Sequence, residues 1–363
     1  MKSVNSLKVK SGFEKYKCMD ESLLIERIHE KKRSLENEIV ILVHHYQKPE
    51  IVQFADHIGD SLELARLSSV NKTARFIVFC GVHFMAESAS ILSDSNQTVI
   101  LPDLDAGCPL ADSARIDQVQ EAWATLRKIC PGETILPVTY VNSDAELKAF
   151  TGRNEGSVCT STNAAVVFDW AVKNASKVFF FPDEHLGRNT TRSRGFQGED
   201  VIVWDPNIEN GGNTPESIRR ARVVLWNGYC HVHTWFVPEH VRKIRQDDPD
   251  AKIIVHPECK EEIVRLADAS GSTSFIVNFV QNAPSGSRIV IGTEIHLVKR
   301  LAEENPDKTV YELSRSLCPN MYKIGLDDLL YALDFLGKVN VIKVDDDVKR
   351  YSKAALERML RLT

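Results

Sequence analysis

The stretch ILVHHYQKPEIVQFADHIGDS, Ile41 to Ser61, returns later in the chain as IIVHPECKEEIVRLADASGST, Ile253 to Thr273. Ten of the twenty-one positions are identical without a gap. Internal repeats fix an architecture before any single element does. Each copy reads as an apolar strand ending in histidine (His44, His256), then an amphipathic helix, then Ala-Asp-x-x-Gly and a hydroxyl-bearing turn. The likeness continues through a second apolar run ending in glycine, Ile77–Gly81 and Ile289–Gly292, and through helical stretches at Met85–Leu92 and Ile295–Leu301. Each copy closes on a cysteine before proline. Cys108 stands 64 residues after His44, and Cys318 stands 62 after His256.

A fainter copy lies between them. Ile135–Asn142 supplies its strand, Asp144–Phe150 starts its helix, Gly156–Ser161 is its turn, Val178–Phe181 its second strand, and Gly228-Tyr229-Cys230 its cysteine. The 90 residues from Tyr140 to Cys230 exceed the other spans because Arg188–Arg220, polar and rich in Gly and Asn, reads as an inserted loop. Short apolar runs alternating with helical stretches predict βαβ units with parallel sheets. Strand ends in such units face a crevice at the carboxyl edge, where ligands bind. The expected organisation is a charged helical extension over 1–32, three α/β units over 33–117, 118–235 (carrying the insertion 188–220) and 236–325, and a helical tail over 326–363 crossed by a short apolar strand at Val339–Val344.

The 363 residues carry a net charge of −5, with 43% hydrophobic and 26% charged residues, which fits a globular chain and argues against a broadly basic nucleic-acid binder. The first thirty residues hold no apolar signal-like core, and no run approaches the roughly 18 apolar residues of a membrane helix. A cytoplasmic protein is expected, and in that compartment the eight cysteines stay reduced. One cysteine per repeat, without a CxxC pair, is unlike structural zinc. Three thiolates from distant segments suit an iron–sulfur cube, with one iron left open to substrate. Cys108, Cys230 and Cys318 each precede a helix or turn start, where backbone N–H groups favour a thiolate. Cys80 lies in a buried strand, Cys18 and Cys130 have no partners nearby, and Cys159 and Cys259 fall early in their units; all five are read as inert. His233, three residues after Cys230, is placed to support the cluster.

Other polar residues cluster at predicted strand ends. Tyr140 and Asn142 alternate on one strand and so share a face. Glu258 follows His256 by two residues on the same logic, where an apolar surround would raise its pKa. Ser61 after Gly59-Asp60, Ser161 with Asn163, and Ser272 with Thr273 stand at helix starts, where they cap the helix and where anions also bind. Lys31-Lys32-Arg33 reads as a solvated helix face and Arg192 to Arg194 as a loop charge run.

HHYQ (44–47), GDSLELA (59–65), LPDLDAGCPLAD (101–112), TYVNS (139–143), CTSTNA (159–164), PDEHLG (182–187), WNGYCHVH (226–233), VHPEC (255–259), ADASGST (267–273), GTEIHLVKRL (292–301) and CPNMYKI (318–324) together resemble the motifs of the quinolinate synthase family, in family order. The resemblance implies three parallel-sheet α/β units with pseudo-threefold symmetry around a central 4Fe-4S cluster held by Cys108, Cys230 and Cys318. It implies condensation of iminoaspartate with dihydroxyacetone phosphate to quinolinate for NAD synthesis, and functional coupling to an aspartate-oxidising enzyme and to cluster-assembly machinery. It gives Tyr46, Glu258 and His256 catalytic roles, and gives His44, Ser61, Tyr140, Asn142, Ser161, Asn163, Ser272 and Thr273 the substrate. Cys318 lacks the preceding cysteines that some members carry, so a thiol switch there is not expected. A different cluster-bearing dehydratase or lyase, or a redox sensor, would carry the same three cysteines; a sensor would also need a recognition surface such as a basic helix, and none is apparent.

Overall fold

The structure is a computed structural model that describes residues 12–362; the first eleven residues of the expected N-terminal extension lie outside the described part. Among the described residues, thirteen strands form three sheets, and every pairing between named strands is parallel. The first sheet contains β1 (Ile39–His44), β2 (His57–Gly59), β3 (Phe76–Cys80) and β4 (Thr98–Ile100) in the order β2-β1-β3-β4. The second contains β5 (Ile135–Tyr140), β6 (Ser157–Cys159), β7 (Lys177–Phe181), β8 (Val201–Trp204) and β9 (Val223–Trp226) in the order β6-β5-β7-β9-β8. The third contains β10 (Lys252–Val255), β11 (Ala269–Ser270), β12 (Arg288–Gly292) and β13 (Thr309–Glu312) in the order β11-β10-β12-β13. One order thus serves all three sheets, with β8 added at the outer edge of the second. The fold is three similar parallel α/β units.

The repeat explains why. In β1 all six residues are buried, and in β5 likewise, as expected of parallel strands covered on both faces. Asp56 and Asp268, the Asp of each Ala-Asp-x-x-Gly motif, accept from the backbone N–H of Ile41 and Ile253, both at 2.8 Å, and so fasten the turn of each copy to the start of its own strand.

The segment Arg188–Arg220 differs from the expected loop. Its ends belong to the helices Glu184–Ser193 and Pro215–Arg220, and Val201–Trp204 forms β8 against β9. The short apolar run VIVW covers an edge that would otherwise expose unpaired backbone groups. Arg192 and Arg194 are correspondingly paired with Glu261 and Asp169.

The chain divides into two compact units. The first holds the described residues up to Gly107 together with Cys318–Val344. There the helix Glu21–Leu35 packs on the helix Leu326–Asp334, whose Asp334 accepts from Tyr16 at 2.8 Å and pairs with Arg27 at 3.1 Å and Lys31 at 3.0 Å. Lys32 pairs with Asp56 at 2.6 Å, so two of the three consecutive cations are anchored rather than solvated. Val341 makes an isolated antiparallel bridge to Ile100 in place of a strand.

The second unit holds Cys108–Leu317, with the second and third sheets, and the C-terminal segment from Asp345. The helix Asp346–Arg361 lies on the helix Ala145–Arg153, where Ser352 Oγ donates to the Ala145 carbonyl at 2.7 Å. Gly152 permits that approach, because a Cβ there would stand 2.0 Å from the Tyr351 carbonyl oxygen. The buried aromatic core of the second sheet, Phe179, Phe181 and Trp226 with Phe150, sits between its strands and helices.

Candidate active site

In the first unit, β1 ends on His44, which is 4% exposed, and the chain turns through Tyr46 into Gln47 and Lys48. The Tyr46 backbone N–H donates to His44 Nδ1 at 3.2 Å. That bond leaves the ring proton on Nε2. The Tyr46 ring stands edge-on to His44 with centroids 4.8 Å apart. The turn after Cys318 packs on the same segment: Gln47 Nε2 reaches Met321 Sδ at 3.4 Å, and Lys48 Nζ lies 4.7 Å from the Tyr322 ring centre. Ser61 is the first residue of its helix rather than the cap. Asp60 caps instead, accepting from Leu62 and Glu63 at 2.9 and 3.0 Å, while Glu63 reaches back to the Asp60 N–H at 3.1 Å. That capping box leaves the Ser61 hydroxyl without the capping duty.

In the second unit, the third repeat reproduces the first. β10 ends before His256, and the Glu258 N–H donates to His256 Nδ1 at 3.3 Å. The position of Tyr46 is taken by Glu258. Both His256 and Glu258 are 2% exposed. Tyr140, at the end of β5, donates its phenol to Glu258 Oε1, and His233 Nδ1 donates to Oε2 at 3.1 Å. The His233 and His256 rings stack with centroids 4.3 Å apart. Burial works to raise the Glu258 pKa, but the His233 and His256 rings and the Tyr140 phenol outweigh it and hold the carboxyl down to about 2. Glu258 is a carboxylate in this site. The raised pKa expected from its apolar strand end is corrected, because charge and hydrogen bonds beat desolvation here.

Cys108 and Cys230 occupy equivalent places. Each is the residue before a four-residue helix, Pro109–Asp112 and His231–Thr234. The segment after Cys108 docks on the one before Cys230: Trp226 Nε1 donates to the Ser113 carbonyl at 3.0 Å, and a Cβ on Gly228 would lie 2.4 Å from Ser113 Oγ. Only glycine fits there. Cys230, His233 and Glu258 offer ligand atoms that all lie within 4.8 Å of one another, a group able to hold a metal. Cys318, in the first unit, opens a turn in which the Tyr322 N–H donates to its carbonyl at 3.3 Å. Cys80, Cys159 and Cys259 are fully buried, and burial pushes each thiol well up.

The remaining expected residues divide. Ser272 caps the helix Thr273–Asn282 by accepting from Phe275 N at 3.3 Å, with Thr273 as its first residue. Asn163 Oδ1 accepts from Thr160 N at 2.7 Å and closes the turn that carries half-buried Ser161. Four side-chain atoms at the carboxyl edge of the second sheet, however, are buried without a hydrogen-bond partner: Asn142 Oδ1, Ser143 Oγ, Asn163 Nδ2 and Asp183 Oδ2. Buried polar groups are normally satisfied, so this strand edge leaves donors and acceptors open to ordered water or a ligand.

Two residues were missed from the sequence. Thr293 Oγ1 meets His233 Nε2 at 3.1 Å and fixes that ring from behind. Asp183 caps the helix after β7. Extending the repeat past the end of each second strand finds their places: Gly292 pairs as Cys80 does, so Thr293 stands where Gly81 stands, and Asp183 caps its helix where Val82 and Glu294 cap theirs.

Among the described residues no helix is long and apolar enough to cross a membrane. A family model described as quinolinate synthetase A protein matches residues 26–361. A relative from Rhodopirellula baltica is 45% identical over 95% of this chain and 92% of its own length. Relatives from a Nocardioides species and from Anoxybacillus flavithermus are each 48% identical, over 93% and 96% of this chain and 89% and 95% of their own lengths. All three carry the name quinolinate synthase.

Proposed function

We propose, for a chain that belongs to the quinolinate synthetase A family, that it is a quinolinate synthase, condensing iminoaspartate with dihydroxyacetone phosphate and releasing phosphate and water on the way to NAD. The observation that carries this reading is the buried Tyr140–Glu258–His233–His256 cluster beside Cys230. It combines an ionised base, a phenol and two imidazoles at parallel strand ends, the groups that repeated proton transfers require.

Cys108, Cys230 and Cys318 are the residues to hold one 4Fe-4S cluster. The paired N-cap placement of Cys108 and Cys230, and the donors around Cys230, fit a thiolate-bound centre. When bound, the cluster supplies a Lewis-acidic iron for substrate oxygen. The protein's own groups do the rest. His44 and His256 donate hydrogen bonds to substrate carboxylates. Ser61, Ser161, Asn163, Ser272 and Thr273 supply donors for carboxylate and phosphate. Glu258 takes up protons with the lone pairs that Tyr140 and His233 leave open, and Tyr46 moves protons in the first unit. Tyr140 and Asn142, from one strand end, orient the reacting chain. The partners are small anions, and an enzyme that oxidises aspartate would supply the short-lived imine.

The test is incubation of anaerobically purified, iron- and sulfide-reconstituted protein with both substrates. Quinolinate is the expected product; its absence, with iron and sulfide bound, would favour a different cluster-bearing dehydratase or lyase.

A further inference from the structure

Asp183 is fully buried at the carboxyl end of β7, the central strand of the second sheet. Thr139 pairs with Phe181 across β5 and β7, so Asp183 leaves the sheet one strand from Asn142 and Ser143. On its other side the Glu184 N–H donates to the Gly228 carbonyl at 2.8 Å, tying the segment to the approach to Cys230. Asp183 Oδ1 is spent on the helix, accepting from Leu186 N at 2.6 Å. Oδ2 has no partner although it is buried. A helix cap needs one oxygen, so the second is unexplained by the fold.

The surroundings decide its chemical form. Glu258, Glu184, Cys159 and Cys259 are the titratable groups that act on Asp183 or on which it acts. No cation is among them. Burial first, and the charge of Glu258 second, push the Asp183 carboxyl well above its usual range, against the pull of the Leu186 and His185 backbone N–H groups. Two carboxyls at one site with pKa values driven apart are the pattern of a base and an acid. An ionised oxygen left unpaired in such a place would also carry a large desolvation cost.

We propose that Asp183 is a further substrate-contacting residue, whose buried Oδ2–H donates a hydrogen bond to an oxygen of the bound anion. The assignment rests on the quinolinate synthase reading and deepens it. A neutral donor suits a dicarboxylate substrate, because it adds a hydrogen bond without a second negative charge.

Three side chains at this position separate the possibilities. Asp183→Asn keeps a capping oxygen and places N–H where the acid has O–H, so it reproduces a neutral donor. Asp183→Ser keeps a capping oxygen and leaves no group at the Oδ2 position to donate. Melting temperature, kcat and KM are measured for each against wild type, with the pH profile of kcat/KM for Asp183→Asn. The expected result is Asn within about threefold of wild type with an unmoved profile, and Ser down by about ten- to hundredfold in kcat/KM at a similar melting temperature. A Ser variant as active as wild type would reduce Asp183 to a helix cap and overturn the proposal. An Asn variant with kcat/KM down tenfold, or with a shifted acid limb, would show an ionised acceptor and overturn it as well, even if the Ser variant fails to fold. Failure of wild type itself to form quinolinate would instead sink the activity reading, and this assignment with it.

Discussion

Glu258 shows how one side chain changes character with its neighbours. From the sequence it is a carboxyl at an apolar strand end; in the fold two imidazoles and a phenol surround it, and it is ionised. Glu258→Gln keeps the shape and removes the base, and kcat should fall by about a hundredfold or more while the protein still folds. The sign of its stability effect follows from its depressed folded pKa. The carboxylate stabilises the fold above the unfolded value near pH 4.3 and loses that contribution as pH falls towards about 2. Acid unfolding of Glu258→Gln should therefore be flatter over that interval. Asp328 behaves in the opposite sense. Burial, with Asp327 and Asp103 nearby, pushes it up to about 7, although it accepts from Gly325 N at 2.9 Å. The folded state keeps a proton that the unfolded chain releases, so this contribution is present below about pH 4 and is lost as pH rises through about 7. Asp328→Asn still accepts from Gly325. It should melt like wild type at pH 4 and above it at pH 8; equal melting at both would remove the argument.

At the scale of elements, the C-terminal end of the short helix Pro215–Arg220 is held by one buried lysine. Lys177, the first residue of β7, donates to the carbonyls of Ile218 at 2.9 Å, Arg219 at 3.3 Å and Ala221, the unpaired oxygens at that helix's C-terminal end. Helix ends leave such carbonyls needing donors, and a cation is favoured there. Lys177→Met fills the volume but strands the carbonyls. It should cost about 3 kcal/mol in denaturant unfolding, within the range for several buried acceptors left unmade. Local opening should concentrate at Val201–Arg220, measurable as faster amide exchange. A uniform loss of protection across the second sheet would contradict this. The polar composition of 188–220 concealed the arrangement, since only four consecutive residues, Val201–Trp204, carry a strand signal.

For the whole molecule, the proposed assignment with the widest reach is that of Cys108, Cys230 and Cys318 as the thiolate ligands. Replacing Cys108, Cys230 or Cys318 by alanine should each abolish stoichiometric iron and the visible absorbance of reconstituted protein. Cys80→Ala, in the core of β3, should leave iron content unchanged. Full iron binding by any of the first three variants would defeat the assignment. The amino-acid sequence alone was enough to determine three parallel α/β units, because the first and third copies each write the same local signal: a buried apolar run, a strand-end histidine, an Ala-Asp-x-x-Gly turn. It also determined which residues stand at carboxyl edges, since a period of two and a known strand end place a side chain without further information. What only the tertiary structure decided is which of those residues meet. Tyr140 and Glu258 are 118 positions apart, and their hydrogen bond, the stack of His233 on His256 and the orphaned oxygen of Asp183 have no trace in local periodicity. Hydrophobic patterning is a property of neighbours along the chain. The charge state of a buried carboxyl depends on dipoles and ions a few ångströms away through space, and those are assembled only when the sheets close.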